Sequence, residues 1–118
     1  MYKIPENFDI SVLKNEVINQ IAFGFNFITL FFNKGFIQFT GSFSFGYNEK
    51  QSYYDEVSPV RNDFGLLQIL EKEITSIKLT NNREELELGF ETGLTLCLIG
   101  DEMYESFIIN IDGNEIRV

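Results

Sequence analysis

The segment from Glu85 to Glu91 alternates polar and apolar residues with one interruption, at Gly89. In an extended chain Leu86, Leu88 and Phe90 share one face, and Glu85, Glu87 and Glu91 share the other. The pattern predicts a strand over residues 84–91 with its leucines in a core. A second strand follows over 94–99, with Leu94, Leu96 and Leu98 opposite Thr95 and Cys97. Thr92-Gly93 supplies the hairpin turn between them. A further strand is predicted over 104–111, ended by the turn residues Asp112-Gly113-Asn114, with Arg117-Val118 as a short edge strand.

The first half carries a related pattern. Phe8, Ile10, Leu13, Ile18, Ile21 and Phe23 meet Phe64, Leu66, Ile69, Ile74, Ile77 and Leu79 at a constant spacing of 56. At a spacing of 58, Ile28, Leu30, Phe32, Gly35 and Phe36 then meet Leu86, Leu88, Phe90, Gly93 and Leu94. Ordered matches of this kind point to an internal duplication. Each copy opens on a short apolar segment of helical period, with Asp9 and Asp63 placed as N-caps. Strands over 17–25, 27–33 and 36–43 follow in the first copy, and over 74–80, 84–91 and 94–99 in the second. The expected fold is α+β but mainly β: an antiparallel sheet or half-open barrel from two duplicated helix-plus-three-strand units. One domain spans 1–118, with repeats at about 8–45 and 64–111 joined by a polar loop over 46–63.

The first copy departs from the second in two ways. Phe31 and Phe32 are adjacent, so one ring must leave the core face. Ile37, Phe39, Phe43 and Phe45 also run in the opposite phase to Leu94, Leu96 and Leu98, which requires a bulge or a changed register.

Charge narrows the function classes. The chain has 118 residues and a net charge of −9. Residues 1–60 carry four lysines against six acids, whereas residues 61–118 carry five basic residues against twelve acids. So acidic a surface repels nucleic acid and anionic membranes and attracts a basic protein. No direct nucleic-acid or membrane binding is expected. No apolar run reaches the roughly 20 residues of a membrane helix, the start shows no signal-peptide pattern, and the single cysteine forms no internal disulfide. A cytoplasmic location is the expectation.

Candidate chemistry is sparse. The absence of histidine removes the usual general base and the commonest metal ligand. Cys97 lies mid-strand between two leucines, as a packed cysteine would. Asp101, Glu102 and Glu105 cluster without the spacing of a calcium loop, and no glycine pattern builds a nucleotide cradle. No catalytic residue, cofactor or metal is expected, and the chain does not read as an enzyme. Thirteen phenylalanines, nine of them between Phe23 and Phe45, imply a dense aromatic core, a homodimer surface on the first repeat or a ligand cavity. Tyr53 and Tyr54, flanked by Asp55 and Glu56, carry the composition of an interface loop.

The segment over 86–113, with Gly93 at its first turn and Tyr104-Glu105-Ser106-Phe107 opening a strand, resembles small acidic bacterial immunity proteins. These accompany polymorphic or contact-dependent growth-inhibition toxins. The resemblance implies a non-catalytic protein that neutralises a toxin domain by covering its active site. Nuclease clefts are basic because they hold phosphates, so a nuclease is the expected toxin. The expected partner-binding residues are Glu85, Glu87, Glu91, Asp101, Glu102 and Glu105, with Tyr53, Tyr54, Asp55 and Glu56. The alternatives are a small-molecule carrier with a cavity among Phe25, Phe27, Phe31, Phe39 and Phe43, or a structural self-association module.

Overall fold

A computed structural model describes residues 3–47, 50–57, 65–80, 83–101 and 105–118. Its ten strands are β1 Gln20–Phe23, β2 Ile28–Phe32, β3 Gly35–Phe39, β4 Phe43–Tyr47, β5 Lys50–Tyr54, β6 Ile74–Thr80, β7 Glu85–Phe90, β8 Leu94–Ile99, β9 Phe107–Ile111 and β10 Asn114–Arg117. They form two antiparallel five-stranded sheets rather than a closed barrel. The first sheet runs β1-β2-β3-β9-β10 and the second β5-β4-β8-β7-β6. One core cluster joins them. Leu30, Ile37 and Ile109 of the first sheet and Phe45, Leu88 and Leu96 of the second all belong to it. The rings of Phe39 and Phe43, one from each sheet, meet edge to face at 5.1 Å. Each fully buried leucine or isoleucine here contributes about 1.5–3 kcal/mol.

The alternation of the second half folds as its pattern predicts. Leu86, Leu88, Leu96 and Leu98 are fully buried, and the strands over 74–80 and 94–99 have the expected bounds. The phase conflict resolves in the turns. Only Asn33 and Lys34 separate the paired Phe32 and Gly35. Three residues separate Phe90 from Leu94, ending in Gly93 at φ 91°. That one extra residue shifts the buried positions by one, so both halves direct every second residue inward.

Other expectations need correction. The two short helices are single 3-10 turns, Ile10–Leu13 and Leu66–Ile69. Each ends at an extended cap residue, Lys14 at ψ 137° and Leu70 at ψ 132°. Asp9 caps the first turn, its carboxylate accepting from the Ser11 N–H at 3.0 Å; Asp63 lies outside the described residues, and Gly65 occupies the second cap position at φ 77°. The loop expected over 46–63 contains the end of β4 and all of β5, because the polar sequence of β5 suits an exposed sheet edge. The strand expected over 36–43 is two strands in different sheets. Its alternation continues through Ile37, Phe39, Phe43 and Phe45 because both sheets face the same core. Gly41 occupies the odd position where the chain crosses, and a Cβ there would press on Ser106 Cβ at 2.8 Å. Of the adjacent phenylalanines, Phe32 is buried, while Phe31 turns to the outer face and meets the Phe36 ring at 6.0 Å.

Two segments cross at the end of the molecule where β1 and β6 begin. Asn15 N–H donates to Ile74 O at 2.8 Å and Glu71 N–H to Ile18 O at 2.6 Å. Ile18 N–H donates to Lys72 O at 3.1 Å and Ile74 N–H to Glu16 O at 2.8 Å. Val17 and Glu73 form an isolated bridge between them. Asn15 and Glu71 both take left-handed backbone, at φ 72° and 66°, turning the chain out of each 3-10 turn into the crossing.

Candidate binding surface

The opposite end is where the chain changes sheets, from β3 to β4 and from β8 to β9. Backbone bonds knit these crossovers together. Thr40 and Gly41 N–H donate to Ser106 O at 2.9 and 3.2 Å, and Ile99 N–H donates to Ser42 O at 3.0 Å. Gly100 N–H reaches Glu84 O at 2.9 Å, and Val57 N–H reaches Thr40 O at 3.3 Å. The Ser42 hydroxyl donates to Asp55 O at 2.7 Å. These bonds bring the end of β5, the start of β7 and the β8–β9 link to one place.

Acidic side chains accumulate there as a consequence. Asp55 and Glu56 follow β5, Glu84 precedes and Glu85 opens β7, and Asp101 and Glu105 lie in the β8–β9 link. Glu87 lies one outward position further along β7. Among the described residues, the neighbouring cations are engaged. Lys78 stands 3.9 Å from Glu87, and Arg117 pairs with Glu105 at 3.1 Å and Glu115 at 2.8 Å. Arg83 donates to the carbonyls of Ile4 and Pro5 at 2.7 and 2.6 Å.

A defined row of side chains crosses the outer face of the second sheet. Ladder partners run Tyr53, Ser44, Cys97, Glu87, Lys78. Cys97 Sγ is 3.8 Å from Glu85 Oε1. Burial, then the charges of Glu85 and Glu87, push the Cys97 thiol up to about 12. It is therefore a protonated donor to a carboxylate rather than a nucleophile.

The expected site residues divide. Glu85, Glu87, Asp101, Glu105, Asp55 and Glu56 are brought to the crossover end, and Tyr53 joins the outer-face row at 59 % exposure. Glu91 sits at the far end of β7, where its carboxylate accepts from Glu73 N–H at 3.2 Å. Tyr54 points inward and stacks on Phe43 at 4.8 Å, because consecutive strand residues face opposite ways. Glu102 lies outside the described residues. Sequence reading missed Glu84, whose place depends on the contact of its carbonyl with Gly100. The five phenylalanines of the expected cavity do not line one chamber. Phe25 is 89 % exposed, and Phe39 and Phe43 are packed in the core. Among the described residues no group of three acidic or cysteine side chains is placed to hold a metal ion. Compared with known protein families, curated proteins and solved structures, the chain matches none.

Proposed function

We propose that this chain is an immunity or inhibitor protein that binds a basic toxin domain, a nuclease, and covers its active site with the acidic crossover end. The supporting observation is that acids remote in sequence, from Asp55 to Glu105, converge on one end through the crossover hydrogen bonds. A dense negative field accelerates encounter with a basic cleft and favours it over other partners. The surface is built from strand ends held by the core, so little ordering is needed on binding.

The test is calorimetric titration of the whole chain with the basic toxin domain encoded beside it. Reversing Asp55, Glu85 and Glu87 to lysine together should weaken binding at least a hundredfold and flatten its salt dependence. The Glu91→Lys control should bind as before. Equal loss in both variants would move the interface away from the crossover end.

The duplication belongs to the same reading. Each half runs as one 3-10 turn and five strands, and each places its first three strands in one sheet and its last two in the other. The four crossing bonds pair off at the spacing of 56 seen in the sequence. These correspondences support descent from a single unit, after which only the second half acquired most of the acids.

A further inference from the structure

The free edge of β10 is a second surface, built differently. Phe107 and Val118 exchange both backbone bonds, at 3.2 and 2.8 Å, and the register pairs Ile116 with Ile109. Antiparallel alternation then turns the N–H and C=O groups of Glu115 and Arg117 away from β9, toward the open side of the sheet. The segment over 5–12 runs beside that side, with no backbone bond to β10 among the described residues. A groove of about 450 Å³ lies between them. Its apolar lining is Phe8, Val12, Ile111 and Ile116, and its charged lining is Asp9 and Asp112, with no cation. The nearest β10 cation, Arg117, is engaged by Glu105 and Glu115.

The other half of the molecule differs at the positions that can be compared. Val12 corresponds to Gln68 at the spacing of 56, and the β9–β10 pair corresponds in the fold to β4–β5 at a spacing of 64, which sets Ile116 against Ser52 and Ile111 against Tyr47. The described positions beside β5 that answer to Ile116 and Val12 are thus polar, Ser52 and Gln68. Among the described residues, β10 combines outward backbone groups with an apolar, acid-rimmed trough.

We propose that the β10 edge and its groove bind an extended segment of a basic partner protein by strand addition. The guest would pair its backbone with Glu115 and Arg117. Every second side chain would enter the trough as an aliphatic group, and the lysines or arginines between them, pointing out of it, would sit in the negative field of Asp9 and Asp112 at its rim. The groove opens beside the β9–β10 turn, away from Glu85 and Glu87, although β10 runs on to Arg117, which pairs with Glu105 at the crossover end; Asp55, Glu85 and Glu87 test the toxin-binding reading, and Asp112 and Glu115 test this one.

The test is an amide NMR titration of the full chain with an acetylated, amidated heptapeptide alternating lysine and valine, beside one alternating glutamate and valine. The lysine peptide should give saturable shifts at residues 7–12 and 111–117, and the glutamate peptide none. Glu115→Pro deletes an outward N–H without removing a β9 ladder bond and should weaken binding at least tenfold. Asp112→Asn keeps the turn, removes a charge and should weaken it severalfold. Should Glu115→Pro disturb the β10 amides in the free protein, Asp112→Asn alone decides. No saturable shift, shifts confined to the Glu85 region or the β5 edge, or equal binding of both peptides would each overturn the proposal.

Discussion

Cys97 offers a quantitative check on the outer face of the second sheet. Its thiol is raised from 9.0 to about 12, first by burial and then by Glu85 and Glu87. At pH 8 a three-unit rise lowers the thiolate fraction about a thousandfold. A more basic thiolate is also a better nucleophile; with a Brønsted coefficient near 0.45 this restores about twentyfold. Exchange with a neutral aromatic disulfide should therefore run about fiftyfold slower than for a free thiol, before any steric obstruction. Glu85→Gln removes the carboxylate 3.8 Å away and should speed the reaction severalfold; the burial contribution stays. The assay is absorbance-detected exchange on the native protein under pseudo-first-order conditions. A native rate within threefold of a free thiol, or no response to Glu85→Gln, would refute the geometry. The same shift sets an alkaline limit. Because the native state holds the proton more tightly, Cys97 contributes stability that is complete below about pH 9 and lost as pH rises toward about 12. Cys97→Ala should remove that component of alkaline unfolding.

Three further outcomes probe the fold beneath the surface. Leu96→Ala empties a fully buried position and should cost about 2–5 kcal/mol in urea unfolding, while Thr95→Ala on the outer face should stay within about 0.5 kcal/mol. Gly35→Ala would drive a methyl into the Asn110 carbonyl across the β3–β9 seam and should cost about 1–3 kcal/mol or more by overpacking. Arg83→Ala frees the carbonyls of Ile4 and Pro5 and should raise amide exchange over residues 3–8, with β7 unaffected; unchanged exchange there would show that the packing of Ile4 and its N–H bond to the Arg83 carbonyl anchor the segment without the guanidinium.

Legibility tracked how local each signal was. Face assignments in β7 and β8 could be read directly, since alternation is a property of the strand itself. β5 was not legible, because Lys50-Gln51-Ser52 looks the same in an exposed edge strand as in a loop. The sheet crossing at Gly41 was hidden for the reverse reason: two sheets sharing one core impose one continuous phase. The acids were nameable, but their grouping was only partly so. Glu85, Glu87 and Glu91 share a strand face, yet Glu91 lies at the far end of it, and Glu84 becomes a neighbour of Asp101 only through a crossover bond.

The sequence by itself determined a strand-rich chain, its inward-facing residues, most of its turns and its acidity, because side-chain alternation, turn chemistry and charge are written within a few residues. Only the tertiary structure decided that there are two sheets, which strands adjoin and which acids converge. Those outcomes depend on contacts between residues tens of positions apart, chosen by how the whole core packs. No local pattern encodes that choice.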